Sequence, residues 1–186
     1  MKVLDGLELV GYIKERQLKQ VRALRQSWRV IPRLVIICAG DGLIIDRQIQ
    51  LKCEYGKDIL VEVSVRNVPD SEALKQIELF NNDENVHGII LQSSPNNSPR
   101  IDDFSNVIIP EKDVDGLGNK SIFVPATKMA TDWLLVGYNI EETDSVKLNG
   151  IITQATGLKM LETAALFDNV ITSARKVANQ KGQQDI

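Results

Sequence analysis

The feature that most constrains the fold is a short, uninterrupted apolar run at Arg33–Ala39. The six residues after Arg33 are Leu-Val-Ile-Ile-Cys-Ala, a pattern typical of a strand buried on both faces of a parallel sheet. Pro32 ends a helical pattern before the run, and a Gly-Asp-Gly sequence at 40–42 ends the run itself. Because parallel strands need helical crossovers between them, this run predicts an α/β fold.

Helical and strand patterns alternate around this run. An α-β-α-β-α-β order is typical of a parallel sheet with helices on its faces. We therefore expect a three-layer, parallel-sheet α/β domain over residues 1–140, ending in a helix that runs from Thr127 to about Tyr138. The predicted helices are 6–28, 45–56 and 70–80, and the predicted strands are 33–39, 60–65 and 88–92.

The C-terminal part of the chain has a second, smaller pattern. Residues 148–153 and 169–173 have the composition of strands, and residues 157–167 have that of a helix. They predict one truncated Rossmann-like β-α-β unit over residues 147–180, followed by a frayed tail at 181–186. Such a unit is too small to bury a core alone, so it must pack on the first domain or on another chain.

Composition limits the classes of function. The chain has 186 residues, a net charge of −3 and a single histidine, His87. This charge does not indicate a nucleic acid or an anionic membrane as a partner, and no apolar run is long enough to span a bilayer. Cys38 and Cys53 lack a metal-ligand spacing. Since the first residues do not resemble a signal peptide, we expect a cytoplasmic protein with reduced thiols.

The strongest functional signal is the acidic sequence Pro-Glu-Lys-Asp-Val-Asp-Gly at 110–116. A loop beyond an apolar strand can hold a carboxylate at the carboxyl edge of the sheet, where open α/β proteins bind small molecules. Asp113 and Asp115 begin like a calcium loop, but Leu117 and Val124 stand at its fifth and twelfth positions. Neither supplies the required oxygen, so we expect no metal. A solvated acidic turn is the alternative interpretation.

Other residues carry weaker signals. Gln92 ends a predicted strand at the carboxyl edge, where its amide can bind a ligand or only cap a loop. His87 precedes that strand and is interpreted as structural. Cys53 is interpreted as an unreactive thiol on a helix face, because no second histidine is present to activate it.

The chain resembles the bifunctional methylenetetrahydrofolate dehydrogenase/methenyltetrahydrofolate cyclohydrolases of one-carbon metabolism. Members of that family have an N-terminal α/β domain and a Rossmann-type NAD(P) domain, with folate in the cleft between them. The resemblance implies a catalytic-type domain at 1–140 and only the start of the cofactor domain at 147–180. The matching segments are 4–6, 32–37, 53–56, 82–92, 110–116 and 123–127.

The resemblance also implies roles for individual residues. Asp115, followed by Gly116, matches the aspartate that binds the pterin ring. A carboxylate can accept two N–H bonds side by side from an aminopyrimidinone, which suits this role. Gln92 matches the glutamine beside the reacting one-carbon unit.

The helix that carries the chemistry departs from the family pattern Tyr-Val-x-x-Lys-x-Lys-x-Cys. Counting back from Cys53, Ile45 stands at the position of the stacking tyrosine and Ile49 at that of the acid/base lysine. Another gap placement puts Lys52 at the catalytic position, but a helix would carry it about 60° around the axis from Ile49. Loss of a positioned acid/base typically costs about 10²–10⁴-fold in rate.

The residues expected to bind the cofactor also depart from the family pattern. Three functional hypotheses follow from these departures. The family's phosphate-binding turn is replaced by glycine-poor residues 153–159, which predicts no NAD(P) cofactor. The first hypothesis is a catalytically impaired or inactive member, a pseudoenzyme that keeps a partial folate-type cleft. The second is an active methenyltetrahydrofolate cyclohydrolase without dehydrogenase activity, with Lys52 as a substitute base. The third is a non-catalytic scaffold or partner subunit without a ligand.

The resemblance also predicts a homodimer, since members of the family are dimers. Within the predicted β-α-β unit, Leu158, Leu161 and Leu166 would leave an apolar helix face uncovered. Pairing of two chains through residues 148–173 would cover that face and the exposed strand edge.

Overall fold

A computed structural model describes residues 6–40, 47–93, 104–139 and 155–184 of the chain. The helices and strands alternate through the first half of the chain, from α1 to β3, as predicted. Among these residues, no helix has the length and apolar character to cross a membrane. In chain order the elements are α1 (Gly6–Ser27), β1 (Arg33–Ala39), α2 (Arg47–Asp58), β2 (Glu62–Val68), α3 (Asp70–Asn81), β3 (Gly88–Ser93), α4 (Ala126–Gly137) and α5 (Ala155–Gln184).

The apolar strand β1 lies at the centre of the sheet. Three parallel strands are ordered β2-β1-β3, and Val35 of β1 pairs with Ser64 on one side and Ile89 on the other. All residues of β1 after Arg33 are buried, because helices cover both faces of the sheet. The predicted α/β fold with a parallel sheet is confirmed.

Alternate residues of β1 pack into two separate cores, since successive side chains of a strand point to opposite faces. Leu34, Ile36 and Cys38 belong to a large core that also contains residues of α1, α2, α4 and α5. Val35 and Ile37 belong to a smaller core with α3. The larger core therefore includes every helix that borders the cleft described below.

Helix α5 corrects the prediction for the C-terminal part of the chain. Residues 155–184 form a single helix of 30 residues, so the predicted β-α-β unit is wrong over this range. The predicted strand 169–173 lies inside the helix, and residues 181–184 of the predicted frayed tail continue it. The other predicted strand, 148–153, lies outside the described residues.

The physical reason is an apolar stripe at helical spacing that runs through the predicted strand without a change of period. Packing along this stripe stabilises one long helix, although residues 169–173 include β-branched side chains with a local preference for strand. Its fully buried members are Leu161, Ala164, Phe167, Ile171, Ala174 and Ala178.

Because α5 packs along α1, α4 and the sheet, it covers the surface that motivated the dimer prediction. Leu161 and Leu166 are only 0% and 2% exposed within one chain, and Leu158 packs against the same core. A homodimer through residues 148–173 therefore lacks the exposed apolar face from which it was predicted.

The crossing of α1 and α5 depends on two glycines. A Cβ atom on Gly6 would lie 2.8 Å from Leu161 Cδ1 and 2.9 Å from the carbonyl oxygen of Gly157. Any side chain at Gly6 would push the two helices apart, so the glycine allows their backbones to approach closely.

A buried polar cluster joins α1, α2 and α5. The Tyr55 hydroxyl donates to Gln17 Oε1 at 2.8 Å, and Gln17 Nε2 donates to the carbonyl oxygen of Ala164 at 2.7 Å. The Tyr55 ring stacks on Phe167 with 5.3 Å between centroids. Burial raises the pKa of Tyr55, so its hydroxyl stays protonated and keeps donating. The cluster holds α2 in a fixed orientation against α5.

Candidate functional site

Asp113 is buried in the acidic loop and accepts hydrogen bonds from other residues of the same loop. It is 2% exposed, and its carboxylate accepts hydrogen bonds from Gly118 N at 2.8 Å and Gly116 N at 3.2 Å. Its carbonyl oxygen accepts a third bond, from the Ser121 hydroxyl at 3.0 Å. Asp113 is thus a structural carboxylate, whose acceptor positions are occupied by the loop itself.

Gly116 has a conformational role in the same loop. Its φ of +73° lies in the left-handed region, and a Cβ atom there would lie 2.8 Å from Pro125 N. A side chain would be strained by both the backbone and the contact. The predicted ligand-binding residue Gly116 therefore shapes the turn, whereas its neighbour Asp115 lines the cavity described below.

The loop is fastened to β3 and to α5. Ile89 N of β3 donates to the carbonyl oxygen of Lys112 at 2.8 Å, next to an isolated parallel bridge between Ile89 and Asp113. From α5, Asn169 Nδ2 donates to the carbonyl oxygens of Val114 at 2.8 Å and Val124 at 3.1 Å. These bonds hold the backbone on both sides of Asp115.

A cavity of about 180 Å³ opens beside this loop, between α2 and α5; we call it the inner cavity. Three residues singled out from the sequence line it together: Lys52 from α2, Gln92 near the end of β3, and Asp115. They come from three separate segments of the chain, and the parallel sheet brings these segments to one edge. This is the carboxyl edge of the sheet, as predicted for a ligand site.

The charge of Asp115 depends on its surroundings. Burial raises the pKa of its carboxyl group, the Lys52 ammonium lowers it, and the carboxylates of Asp113 and Glu162 raise it again. Burial is the largest of these effects. The pKa of Asp115 is therefore raised from its ordinary value, and its carboxylate interacts electrostatically with Lys52.

Of the two isoleucines at which this segment departs from the family pattern, the structure describes only Ile49. Ile49 is only 2% exposed and belongs to the large core. Ile45 lies outside the described residues. On α2 the cavity is lined instead by Gln48, Leu51 and Lys52, which are three and four residues apart and so share one helix face. At this site Lys52 is the cationic residue that α2 presents to the cavity.

Helix α5 supplies cavity residues that sequence reasoning missed. Lys159, Glu162 and Thr163 line the cavity opposite α2. They were missed because this segment was assigned to a separate unit. The available signal was their own spacing, since polar residues at i, i+3 and i+4 form one helix face beside an apolar stripe.

His87 is buried and bonded to the backbone, in agreement with its structural interpretation. Its Nδ1 accepts a hydrogen bond from Arg33 N at 3.2 Å. Burial, followed by the nearby cations Lys112, Lys181 and Arg33, lowers its pKa to about 4. The imidazole is therefore neutral at physiological pH.

Burial governs the reactivity of the Cys53 thiol. Burial raises the pKa of the Cys53 thiol, which makes it a poor nucleophile at neutral pH. Among the residues that the structure describes, no group of three or more His, Cys, Asp or Glu side chains is placed to hold a metal ion.

The parallel sheet, with a polar cavity at its carboxyl edge, defines the class of open α/β proteins that bind small molecules at that edge. The particular family follows from comparison with known proteins. The family described as "Tetrahydrofolate dehydrogenase/cyclohydrolase, catalytic domain" matches residues 4–115. The chain belongs to this family of folate-dependent one-carbon metabolism.

Individual relatives agree with this assignment. The chain is 29% identical over 182 residues to the bifunctional protein FolD of Nitratiruptor sp., covering 91% of this chain and 64% of the relative. It is 30% identical over 128 residues to FolD of Chlorobium phaeobacteroides, covering 66% of this chain and 42% of the relative. The chain thus spans between about two fifths and two thirds of the length of these curated relatives.

A solved structure agrees with the fold. The bifunctional enzyme FolD of Campylobacter jejuni superposes with a TM-score of 0.75 at 18% identity, covering 95% of this chain and 99% of that chain. At this level of identity the superposition shows the shared fold.

Proposed function

We propose that the chain binds a reduced folate in the inner cavity, with Asp115 accepting the N–H bonds of the pterin ring. The observation that carries this proposal is the shared position of Asp115, Gln92 and Lys52 around one cavity at the sheet edge. Membership of the family supports the choice of ligand.

The chemistry of Asp115 suits an aminopyrimidinone. Its two carboxylate oxygens can accept two parallel N–H bonds, and such charge-assisted pairs are strong and directional. The bonds that Asp113 and Asn169 make to the loop hold the backbone beside Asp115 before a ligand arrives. A preformed site of this kind reduces the entropy lost on binding. Gln92 adds an amide that can donate and accept.

We propose that catalysis is impaired in comparison with the bifunctional enzymes of the family. The position matched to the acid/base lysine holds Ile49, which is buried in the core and cannot exchange a proton. We further propose that α5 belongs to the folate-binding domain and that NAD(P) has no role here. This is supported by the packing of residues 155–184, where the start of a cofactor domain was predicted, as one helix against α1 and α4.

A second candidate function is a methenyltetrahydrofolate cyclohydrolase that lacks dehydrogenase activity. It is favoured by the position of Lys52, which lines the same cavity as Gln92 and Asp115. In this reaction water adds to the methenyl carbon, one carbon–nitrogen bond breaks, and a formyl group remains on the other nitrogen. In its neutral form, Lys52 Nζ would accept the proton of the attacking water and return it to the released nitrogen, while the hydroxyl proton of the adduct passes to solvent as the formyl C=O forms.

Calorimetry with tetrahydrofolate tests the binding proposal. Asp115→Asn should weaken binding about 10- to 100-fold, because hydrogen bonds to a charged group contribute about 1.5–3 kcal/mol. Asp132→Asn, on α4, is the control and should leave the Kd unchanged. A Kd that is insensitive to Asp115→Asn would contradict the proposed ring site. A wild-type protein that binds no folate would instead favour the scaffold hypothesis.

The absorbance of methenyltetrahydrofolate tests the second candidate, since hydrolysis removes the chromophore. An active enzyme should accelerate this loss above the spontaneous rate, and Lys52→Gln should lower the rate about 10²-fold or more. Lys57→Gln, an exposed lysine of the same helix, is the matched control. If turnover survives Lys52→Gln, Lys52 is not the base. If the wild type does not exceed the spontaneous rate, the second candidate is excluded.

A further inference from the structure

The side chain of Lys112 joins the acidic loop to the end of α3. Its Nζ donates to the carbonyl oxygens of Phe80 at 2.9 Å, Asn81 at 2.7 Å and Asp83 at 2.7 Å; we call these three groups the carbonyl cage. The three bonds use all three hydrogens of the ammonium group. Two of the carbonyls belong to the last turn of α3, which ends at Asn81, and the helix dipole favours a cation there.

The backbone of Lys112 is bonded as well. Its carbonyl oxygen accepts hydrogen bonds from Ile89 N of β3 at 2.8 Å and from Val114 N at 2.9 Å. The bridge between Ile89 and Asp113 is parallel, so the chain that follows Lys112 runs beside β3 toward the carboxyl edge of the sheet. Lys112 therefore fixes one end of a short segment whose other end carries Asp115 into the inner cavity.

The carbonyl cage lies next to a space that is open to small solutes. Lys112 and Val86, which precedes β3, line a cavity of about 320 Å³ at the amino edge of the sheet; we call it the amino-edge cavity. Burial lowers the pKa of Lys112, whereas the carboxylates of Asp83 and Glu84 raise it. An uncharged side chain in this partly buried position would leave the three carbonyl groups without their donor.

We infer that Lys112 is a positioning residue for Asp115, acting from the edge of the sheet opposite the inner cavity. This inference rests on the proposed function, in which Asp115 binds the pterin ring. The carbonyl cage holds Lys112, and Lys112 in turn holds the segment that places the carboxylate of Asp115. A binding group must be held within about 0.5 Å of its productive position. Loss of the cage contacts therefore weakens ring binding, although Lys112 does not touch the ligand.

A double-mutant cycle in tetrahydrofolate affinity, measured by calorimetry, tests this role. Lys112→Met keeps the length of the side chain and removes its donors, and it should weaken binding about 3- to 10-fold. In an Asp115→Ala background the same substitution should change the Kd less than about twofold, because the carboxylate that Lys112 positions is already absent. Lys120→Met, at an exposed position farther along the chain, is the control and should leave both affinities unchanged.

Chemical rescue provides a second measurement that uses the amino-edge cavity. Lys112→Ala leaves the carbonyl cage open to this cavity, so that a small alkylammonium ion can enter. We expect millimolar propylammonium to recover part of the lost tetrahydrofolate affinity. Tetramethylammonium, which has no N–H group to donate, should recover none. Far-ultraviolet circular dichroism checks that each variant is folded at the temperature of the titration.

The outcomes separate this inference from the proposed function. If Lys112→Met leaves the affinity unchanged, or lowers it equally with and without Asp115, Lys112 does not act through Asp115. If Lys112→Met does not fold, the rescue decides, and equal effects of the two ammonium ions on Lys112→Ala would overturn the inference. A wild-type chain that binds no tetrahydrofolate would contradict the proposed function itself.

Discussion

The two walls of the cleft differ in how far they follow the pattern that the resemblance implies. The loop wall holds Asp115 on a backbone whose hydrogen bonds are accepted by Asp113 and donated by Asn169. On the α2 wall, Ile49, the residue that the resemblance matches to the acid/base lysine, lies in the core. A binding geometry that depends on many backbone bonds is costly to alter piece by piece. A proton-transfer group depends on one side chain at one helix position, so a single substitution removes it.

The α2 wall is nevertheless held as firmly as the loop wall. A Cβ atom on Gly56 would lie 2.4 Å from Val63 Cγ2 and 3.1 Å from the Phe167 ring. Together with the Tyr55 hydrogen bond to Gln17, this contact prevents α2 from turning residue 49 into the cavity. The two walls differ in the side chains that they present, although close packing and hydrogen bonds hold both of them.

The largest expected effect belongs to Ile49→Lys, which introduces the residue type that the resemblance implies at this position. Because Ile49 is 2% exposed, the variant should lose about 3–5 kcal/mol of unfolding free energy to an unpaired buried charge. Gln50→Lys, at an exposed neighbouring position, should change stability by less than about 0.5 kcal/mol. Urea denaturation measures both. A stable Ile49→Lys variant with raised cyclohydrolase turnover would show that α2 can present residue 49 to the ligand.

Asp113→Ala tests the loop wall. The substitution leaves the amides of Gly116 and Gly118 without their carboxylate acceptor, and we expect a loss of about 3 kcal/mol. Asp113→Asn retains one acceptor oxygen and should lose about half as much. Urea denaturation of both variants checks that Asp113→Ala loses more unfolding free energy than Asp113→Asn does. Equal stability of Asp113→Ala and wild type would mean that the loop does not depend on this carboxylate.

Asn169→Ala tests the support that α5 gives to the same loop. Two backbone carbonyl groups, of Val114 and Val124, would lose their donor. We expect a loss of about 2 kcal/mol and weaker folate binding, because the backbone beside Asp115 is released. Asn179→Ala, at an exposed position of the same helix, is the control for thermal unfolding. Weaker binding without a loss of stability would indicate a direct contact between Asn169 and the ligand.

The smallest effect is expected for Asp115→Asn and has the opposite sign. Burial raises the pKa of Asp115, so the folded state binds its proton more readily than the unfolded state does. The unfolding free energy therefore increases as pH falls through the folded pKa, and the ionised carboxylate destabilises the fold at pH 7. Asn at this position should stabilise the protein by about 0.5–1 kcal/mol. Urea denaturation should show this gain shrinking from neutral pH to about pH 4, whereas a variant less stable than wild type at pH 7 would contradict the sign.

The central sheet was predictable because its signal is local. An apolar run at Arg33–Ala39 has few interpretations other than a buried strand, and the structure confirms it. The position of Asp115 at the carboxyl edge was also predictable, since strand order and loop position together place the acidic residues there.

The form of α5 was not predictable by the same reasoning. The run at 169–173 is too short to separate strand from helix by periodicity alone. The decisive contacts are distant in sequence, as in the hydrogen bond of Gln17 to the backbone of Ala164. Lys52 was predicted only as one of two candidates for the catalytic position, because the alignment of α2 to the family pattern does not show which of its faces is buried.

The crossing of α1 and α5 also affects how the chain reaches its native state. The Gln17–Ala164 bond joins residues 147 positions apart, and closing so long a loop costs entropy before the contact contributes stability. Folding dominated by such distant contacts is slow. While the ribosome is still synthesising α5, the apolar faces of α1 and α4 remain exposed to solvent and can bind chaperones. The molecule should therefore complete its fold late, after α5 has been synthesised, rather than element by element during translation.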